Sequence, residues 1–576
     1  MTLKRTKKRK KQRKLSPEER VRRDTERRFK VRINTIFKNA GFEQVPTRNH
    51  QFTFEGRPGE IDNLFLFENI LVVVEDTCAS SANLKDHINA KAVFFSHLRS
   101  HQNEFIRFLE QEFTGFKEKA FSQYDPGDYK VIYAYCSLNH IDDLHMAPHS
   151  DVVFFGNTTL RYFEALTKVV RRSARFELFK FFGLKPDDIG HNVGKPRRDY
   201  QGFVLPETPS GFPKDYKIAT FYIDPQTLIE LAYVLRKDSW LDKNGLYQRM
   251  LIKDKIKGMR KYLASESRAF VNNIIVSLPS DASLLDDKGS TVMPSKIQRT
   301  TAVTISLPQR FDSIGLIDGQ HRVFAYHEGN DDAEPIIKVK RGKQQLLVTG
   351  IVFPDHIDDV AKMKFEAKLF LEINDKQSRA KGYLKQAIQA VVDPYHPIAI
   401  AQSVVMKLAR SGPLAGLLQD HYFGEGRIKT TSIVSYAMKH IVGFMEDPVE
   451  HSLYAIWKHE KKADLRKQNS GILREEYISF CADQINNLLS AFKEVISPQR
   501  LWTADIQVSR ALTITTINGL IYCLRMLLET GKTGDQAYYA RRLKHLKTSF
   551  SPSRFRFKSS HWKSLGQEMY KECFES

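Results

Sequence analysis

Two groups of residues in this 576-residue chain have the types and spacing for phosphate or phosphodiester chemistry. The first is Asp318-Gly319-Gln320-His321-Arg322. It follows the short apolar run Ile314–Ile317, and Val323, Phe324 and Tyr326 come after it at helical spacing. The pattern predicts a strand, a tight turn and a helix. Asp318 then falls near the N-cap, and Gly319 where the backbone must bend or be closely approached. A helix N-terminus presents free N–H groups and a positive dipole end, so it attracts anions. Arg322 offers a planar fork of donors that fits phosphate, and His321 can donate to phosphate or move a proton.

The second group is Asp62 and Glu75. They belong to two predicted strands, Ile61–Phe67 and Ile70–Asp76, joined by Glu68-Asn69, where Asn tolerates positive φ. A hairpin closed by that two-residue turn sets Asp62 opposite Glu75 on one face. Two carboxylates brought together repel unless a cation or a proton joins them. In phosphodiester chemistry that cation is Mg2+ or Mn2+.

The elements that must position these groups follow from periodicity. A basic arm, residues 1–20, precedes a helix over 21–40 with Phe29, Ile33, Ile36 and Phe37 on one face. Strands are predicted at 51–55, 61–67 and 70–76, a long amphipathic helix over 84–113, strands at 130–136 and 151–155, and a closing helix over 160–182. The order is α-β-β-β-α-β, and this module covers 21–185. Residues 186–215, broken by Pro186, Pro196, Pro206, Pro209 and Pro213, are expected to be a linker. A mixed α/β domain follows over 216–400, with a helix over 358–365, a strand over 368–373 and a polar turn at Asn374-Asp375-Lys376-Gln377. Residues 401–576 are expected to be helical. The fold class is therefore multidomain α/β (α+β). Near the C-terminus Arg554, Phe555, Arg556, Phe557, Trp562 and Lys563 interleave cations with aromatics, a pattern able to stack bases and neutralise phosphates.

The residues 318–322 match the signature of the DGQHR-domain family without a departure. The chain resembles that family, which includes the DndB-type proteins of bacterial DNA phosphorothioation, over about 216–400. More distantly it is similar to the ParB/sulfiredoxin superfamily, which holds nucleotide phosphates at a comparable turn. The resemblance implies a central ParB/sulfiredoxin-like domain binding a nucleoside triphosphate with Mg2+. Asp318, His321 and Arg322 would then be catalytic, and Gly319, Gln320, Arg249, Asn374 and Gln377 would complete the pocket. Residues 21–185 resemble the PD-(D/E)xK nucleases of the restriction-endonuclease-like fold. That likeness carries metal-ligand roles onto Asp62 and Glu75, with Glu26 of the first helix as a further ligand. Thr77, two residues after Glu75, departs from the pattern at the lysine position and implies a degenerate nuclease unless Lys85 or Lys91 of the next predicted helix substitutes, as the resemblance allows.

Composition bounds the function classes. Hydrophobic content of 41% and charged content of 27% are those of a globular protein, and no apolar run is long enough to cross a membrane. The five cysteines are far apart and form no zinc spacing, which points to reduced thiols used in packing and to a cytoplasmic setting. The net charge is +22, and residues 1–14 hold nine Lys or Arg and no acid. A polyanion is the expected partner, DNA foremost. With the family resemblances, three readings stand: an NTP-hydrolysing DGQHR protein acting on DNA in bacterial DNA modification or phage defence, in company with other proteins of such a system; a non-catalytic DNA-binding regulator; and a metal-dependent endonuclease with a DGQHR sensor domain. All three predict duplex binding that weakens steeply with salt through counterion release. Deleting residues 1–14 should flatten the salt dependence measured by fluorescence anisotropy; absence of binding at low salt would contradict them.

Overall fold

The computed structural model describes residues 16–575 apart from 48–50, 80–82, 114, 117–123, 191–196, 235–249, 312, 355–356, 378–381, 420–427, 446–450 and 498–500. The side chains of 374–377 and 382–385 also lie outside the described set. Residues 1–15 of the basic arm and Arg249 therefore fall outside it, and 17–20, expected as arm, belong to the first helix. The chain forms two compact units, one reaching Tyr233 and resuming over Met250–Val352, the other taking in Val234 and the chain from Phe353 onward.

The first unit opens with α1 (Pro17–Asn39). Ser16 caps it reciprocally with Glu19, and Pro17 sits in the first turn, where its missing N–H costs nothing. Strands β1 (Glu43–Val45), β2 (Gln51–Phe54), β3 (Arg57–Glu60), β4 (Asn63–Phe67), β5 (Ile70–Thr77), β6 (Lys130–Ser137) and β7 (Val153–Phe155) follow. Five of them form a sheet in the order β1-β4-β5-β6-β7, antiparallel through β5 and parallel from β5 to β7. The parallel step from β5 to β6 needs a crossover, which α2 (Leu84–Ser100) and α3 (Gln102–Glu112) supply. Both faces of β5 are covered, so it reads as an unbroken apolar run, Ile70 to Val74. On one face Phe37 of α1 stacks on Phe65 at 4.3 Å; on the other Phe95 of α2 packs against Tyr133 at 5.2 Å.

The expected order α-β-β-β-α-β is present, with three differences. Gln51–Phe54 does not join the sheet; it pairs with β3 as a separate hairpin, and the short β1 takes the outer place. The long helix over 84–113 is broken at His101 into α2 and α3. The β4–β5 register is the expected one, Phe67 opposite Ile70 and Asn63 opposite Val74, but Glu68 rather than Asn69 takes the positive φ, 50°. Asn69 instead ties the turn down, donating to the carbonyls of Asp128 and Asp188 and accepting from the Gly190 N–H.

The second sheet has β8 (Arg197–Leu205), β9 (Lys217–Ile223), β10 (Ala232–Tyr233), β11 (Ile274–Ser277), β12 (Ser283–Leu285), β13 (Thr301–Pro308), β14 (Ile314–Asp318) and β15 (Leu346–Val352), in the order β10-β14-β11-β15-β9-β8-β13-β12. The expected linker is thus overturned in its middle: Arg197–Leu205 is an interior strand, paired with β13 along all nine of its residues but the last. Flanking prolines and the polar start Arg-Arg-Asp hid it, because the strand alternates outward-facing polar residues with Val204 in the core. The two sheets are held as one unit at Glu328. Its carboxylate takes two bonds from Arg175, at 2.5 and 3.1 Å, and its N–H donates to Ser173 Oγ at 2.9 Å. Beside it Phe176 and Phe179 pack against Phe311.

The second unit is helical among its described residues, as expected for the C-terminal region, but helix starts earlier than residue 401. The predicted strand 368–373 and the polar turn Asn374–Gln377 are both part of one helix, Asp359–Gln377. The run Leu369-Phe370-Leu371 is too short for periodicity to decide between helix and strand. The aromatic-basic C-terminal segment is largely structural: Phe555 and Phe557 pack against the helical core, Arg556 pairs with Glu568, and Trp562 stacks on Tyr436. Among the described residues no helix is long and apolar enough to cross a membrane.

The segment after the DGQHR residues is fixed by Arg260, on the helix Lys253–Ser265, which is 1% exposed. Its guanidinium donates to Asp331, Glu334 and the carbonyls of Ala325 and His327, while Arg341 holds the other Glu334 oxygen at 2.7 Å. Removing one partner of such a buried network strands the remaining charges. Arg260→Met should therefore destabilise the first unit by about 3–5 kcal/mol, read as a fall in the midpoint of denaturant unfolding; an unchanged midpoint would refute the role given to this network.

Candidate functional site

The clearest cluster of unbalanced charge lies at the end of β5. Side chains alternate along a strand, so Glu75 points to the α2 face and Asp76 to the α1 face. Each meets a lysine from the helix on its side. Lys91 Nζ of α2 is 2.7 Å from Glu75 Oε2, and Lys30 Nζ of α1 is 3.8 Å from Asp76 Oδ1. Asp62 stands between the two faces. It lies one residue outside β4, so it bends away from simple opposition to Glu75: its Oδ2 accepts the Asp76 N–H at 2.9 Å and its Oδ1 is 3.5 Å from Lys30. Asn63 donates to the other Asp76 oxygen at 2.8 Å. Glu75 is 6% exposed.

Burial, followed by the negative charge of Asp62, pushes the Glu75 carboxyl up to about 8 although Lys91 opposes the shift. The same two causes raise Asp76 to about 6 against the pull of Lys30 and Asn63. Near neutral pH the Glu75 carboxyl therefore favours its protonated form, and a cation brought to the corner would displace that proton. His87, one turn before Lys91 on α2, faces Glu75 Oε1 at 3.6 Å, with its Nδ1 2.7 Å from Tyr135 Oη.

The donor set is made of carboxylate oxygens, which suit hard cations such as Mg2+ and Mn2+. Among the described residues no three His, Cys, Asp or Glu side chains are assembled as a metal-binding group. A cation held by Asp62 and Glu75 would complete its shell with water and substrate phosphate, the usual arrangement for Mg2+. These residues fit such an ion in charge and chemistry. Glu26 is one turn before Lys30 on α1, paired with Arg22 at 3.6 Å, and its charge reaches the Cys78 thiol, which burial pushes up to about 11. Of the two lysines expected to stand in for Thr77, Lys91 meets Glu75, whereas Lys85 is exposed on α2. Sequence reasoning missed Asp76, Lys30 and His87. The pair Glu75-Asp76 closing a buried apolar strand was the available signal, because adjacent acids at such a position need a partner on each face.

The DGQHR turn is built differently. Asp318 ends β14, Gly319 takes φ 99° as the N-cap, and the helix is only Gln320–Phe324. Asp318 does not cap the helix; its Oδ2 accepts from the Arg322 guanidinium at 2.8 Å, and the same nitrogen donates to the Asn273 carbonyl at 3.0 Å. His321 Nε2 accepts the Ile252 N–H at 3.2 Å, which leaves the ring proton on Nδ1. A Cβ at Gly319 would stand 2.7 Å from Ile274 Cδ1, so glycine serves close packing as well as positive φ. Gln320 is buried beneath the turn. Asn374 and Gln377 belong to the second unit.

No family model matches the chain, and no curated protein or solved structure matches it.

The partners of Arg322 give the turn a structural duty. Arg322→Ala should lower the melting temperature of the protein, since it leaves Asp318 and the Asn273 carbonyl without their donor. A phosphate-holding role gives a different result: ATP, GTP, CTP or UTP with Mg2+ would raise the melting temperature of the wild type, and Arg322→Ala would remove that rise. A thermal-shift panel distinguishes the two.

Proposed function

We propose that the protein is a metal-dependent nuclease acting on DNA, with its centre at Asp62, Glu75 and Lys91. The observation that carries this reading is Lys91 Nζ at 2.7 Å from Glu75 beside Asp62, a lysine arriving from α2 where Thr77 leaves the strand position without charge. Asp62 and Glu75 would hold Mg2+ or Mn2+, which lowers the pKa of water and neutralises charge on phosphate. Lys91 pulls the Glu75 carboxyl toward its charged form against burial and Asp62, and places a positive charge beside the carboxylate pair. Lys30 faces Asp62 and Asp76 from the other side, where it can take a phosphate oxygen of the substrate once the cation relieves the carboxylates.

The approach to this centre favours DNA. Arg20, Arg23, Arg27 and Lys30 fall at spacings of three and four residues and share one face of α1, a stripe roughly 15 Å long that ends at the carboxylates. The arm of residues 1–14 extends the same charge along the chain. The resemblance of residues 318–322 to DGQHR proteins supports a place in DNA modification or phage defence. In this reading the DGQHR turn serves the integrity of the second sheet and of the Glu328 junction.

Supercoiled plasmid should be nicked only with Mg2+ or Mn2+, and chelation should stop it. Lys91→Ala should slow cleavage about a hundredfold or more, Asp62→Asn should abolish it, and Thr77→Lys added to Lys91→Ala should restore it. A wild-type protein that leaves plasmid intact with both ions, or a Lys91→Ala variant that cuts at the wild-type rate, would refute the assignment.

A further inference from the structure

An open aromatic surface lies on β8 and β9 of the second sheet. Phe203 of β8 and Tyr222 of β9 are 57% and 60% exposed. Both strands are interior, with β13 on one side and β15 on the other, so what is open is a sheet face and not an edge. Phe203 stands opposite Thr220, and Tyr222 is two residues along β9 from Thr220, so the rings are diagonal neighbours on one face. Around them the same face carries apolar side chains, Ala302 opposite Phe203 and Leu347 opposite Tyr222, together with hydroxyls and an amide. Gln201 opposes Thr304 and donates to its Oγ1 at 2.8 Å, and Thr349 of β15 opposes Thr220.

The chemistry of this face selects its occupant. Interior strands have no free ladder, so a peptide cannot add to them as a strand. The two rings are diagonal neighbours with Gln201 and Thr220 at the other corners, so polar side chains interrupt the apolar surface around them. Exposed rings on a sheet, set among side chains that can both donate and accept, suit unpaired bases, which stack on the rings and bond along their edges. Duplex bases are already stacked, and a major groove admits a helix or a two-stranded ribbon but not a broad sheet. Charge agrees: the chain carries +22, and the strand ends next to Phe203 are flanked by exposed Lys214 and Arg299. Asp199 is the one carboxylate on β8, β9 and β13. We propose that this face binds single-stranded nucleic acid, with successive bases stacked on Phe203 and Tyr222. The proposal does not depend on the nuclease assignment.

The test uses the full-length protein and a labelled oligonucleotide of about 20 nucleotides, long enough to span a site of the usual size. It is offered as single-stranded DNA, as single-stranded RNA and as duplex, and binding is followed by anisotropy at fixed salt. Phe203→Ala and Tyr222→Ala should each weaken single-strand binding by about fivefold or more while leaving duplex affinity unchanged, because the basic arm and α1 set the latter. Tyr222→Phe should keep the wild-type affinity, whereas Tyr222→Leu, apolar but without a ring, should not. The DNA and RNA arms identify which strand is preferred. Wild-type protein that binds no single strand, an equal loss on single strand and duplex, or no loss from the double alanine variant would overturn the proposal. So would a wild-type dimer that Tyr222→Ala converts to monomer in size-exclusion chromatography, since a second copy would then be the occupant.

Discussion

Three carboxylates at the end of one hairpin cannot stay close inside protein unless positive charge faces them, and that constraint organises the N-terminal half of this chain. Glu75 and Asp76 are adjacent in sequence and point to opposite faces of the sheet, with Asp62 between them. One lysine on each covering helix answers them, Lys91 from α2 and Lys30 from α1. The helices dock through Phe37 on Phe65 and Phe95 on Tyr133, so apolar packing sets where the lysines arrive. Even with both lysines in place Glu75 and Asp76 are held above their ordinary range, so near neutral pH a proton on Glu75 does part of the neutralising. A divalent cation with oxygen ligands is suited to take the place of that proton and hold the carboxylates together in their ionised form.

How much of this was legible in the sequence depends on which interactions are local. The β4–β5 register was readable because Glu68-Asn69 fixes a two-residue turn and every pairing follows from it. Lys91 was legible only through the likeness to PD-(D/E)xK nucleases, which made it one of two lysines to weigh once Thr77 stood at the lysine position. Lys30 was not: it lies more than thirty residues before Asp62, and only the packing of α1 across the sheet brings it there. The same difference explains the second sheet. Arg197–Leu205 lacks a local strand signal and is defined by its partners β13 and β9. Leu369-Phe370-Leu371 looked like a strand and became part of a 19-residue helix, because three apolar residues in a row satisfy either period.

The DGQHR turn shows the limit of reading chemistry from residue types. Asp318, His321 and Arg322 are the residues a phosphate site would use, yet each is engaged with its own protein: Asp318 with Arg322, Arg322 with Asn273, His321 with Ile252. The buried Arg260 network continues the same function down to Glu328, where the two sheets meet. In this account the first unit is one rigid frame that presents a carboxylate centre at one sheet and an open aromatic face on the other.

The central claim is that Asp62 and Glu75 share a divalent cation. It is tested most directly by anomalous scattering from crystals of the full-length protein grown with Mn2+ and a DNA oligonucleotide. The account predicts a manganese peak bounded by the Asp62 and Glu75 carboxylates, with Lys30 no longer on Asp62. A manganese ion at any other place with these two carboxylates still bound to their lysines, or no bound ion at a saturating concentration, would contradict it.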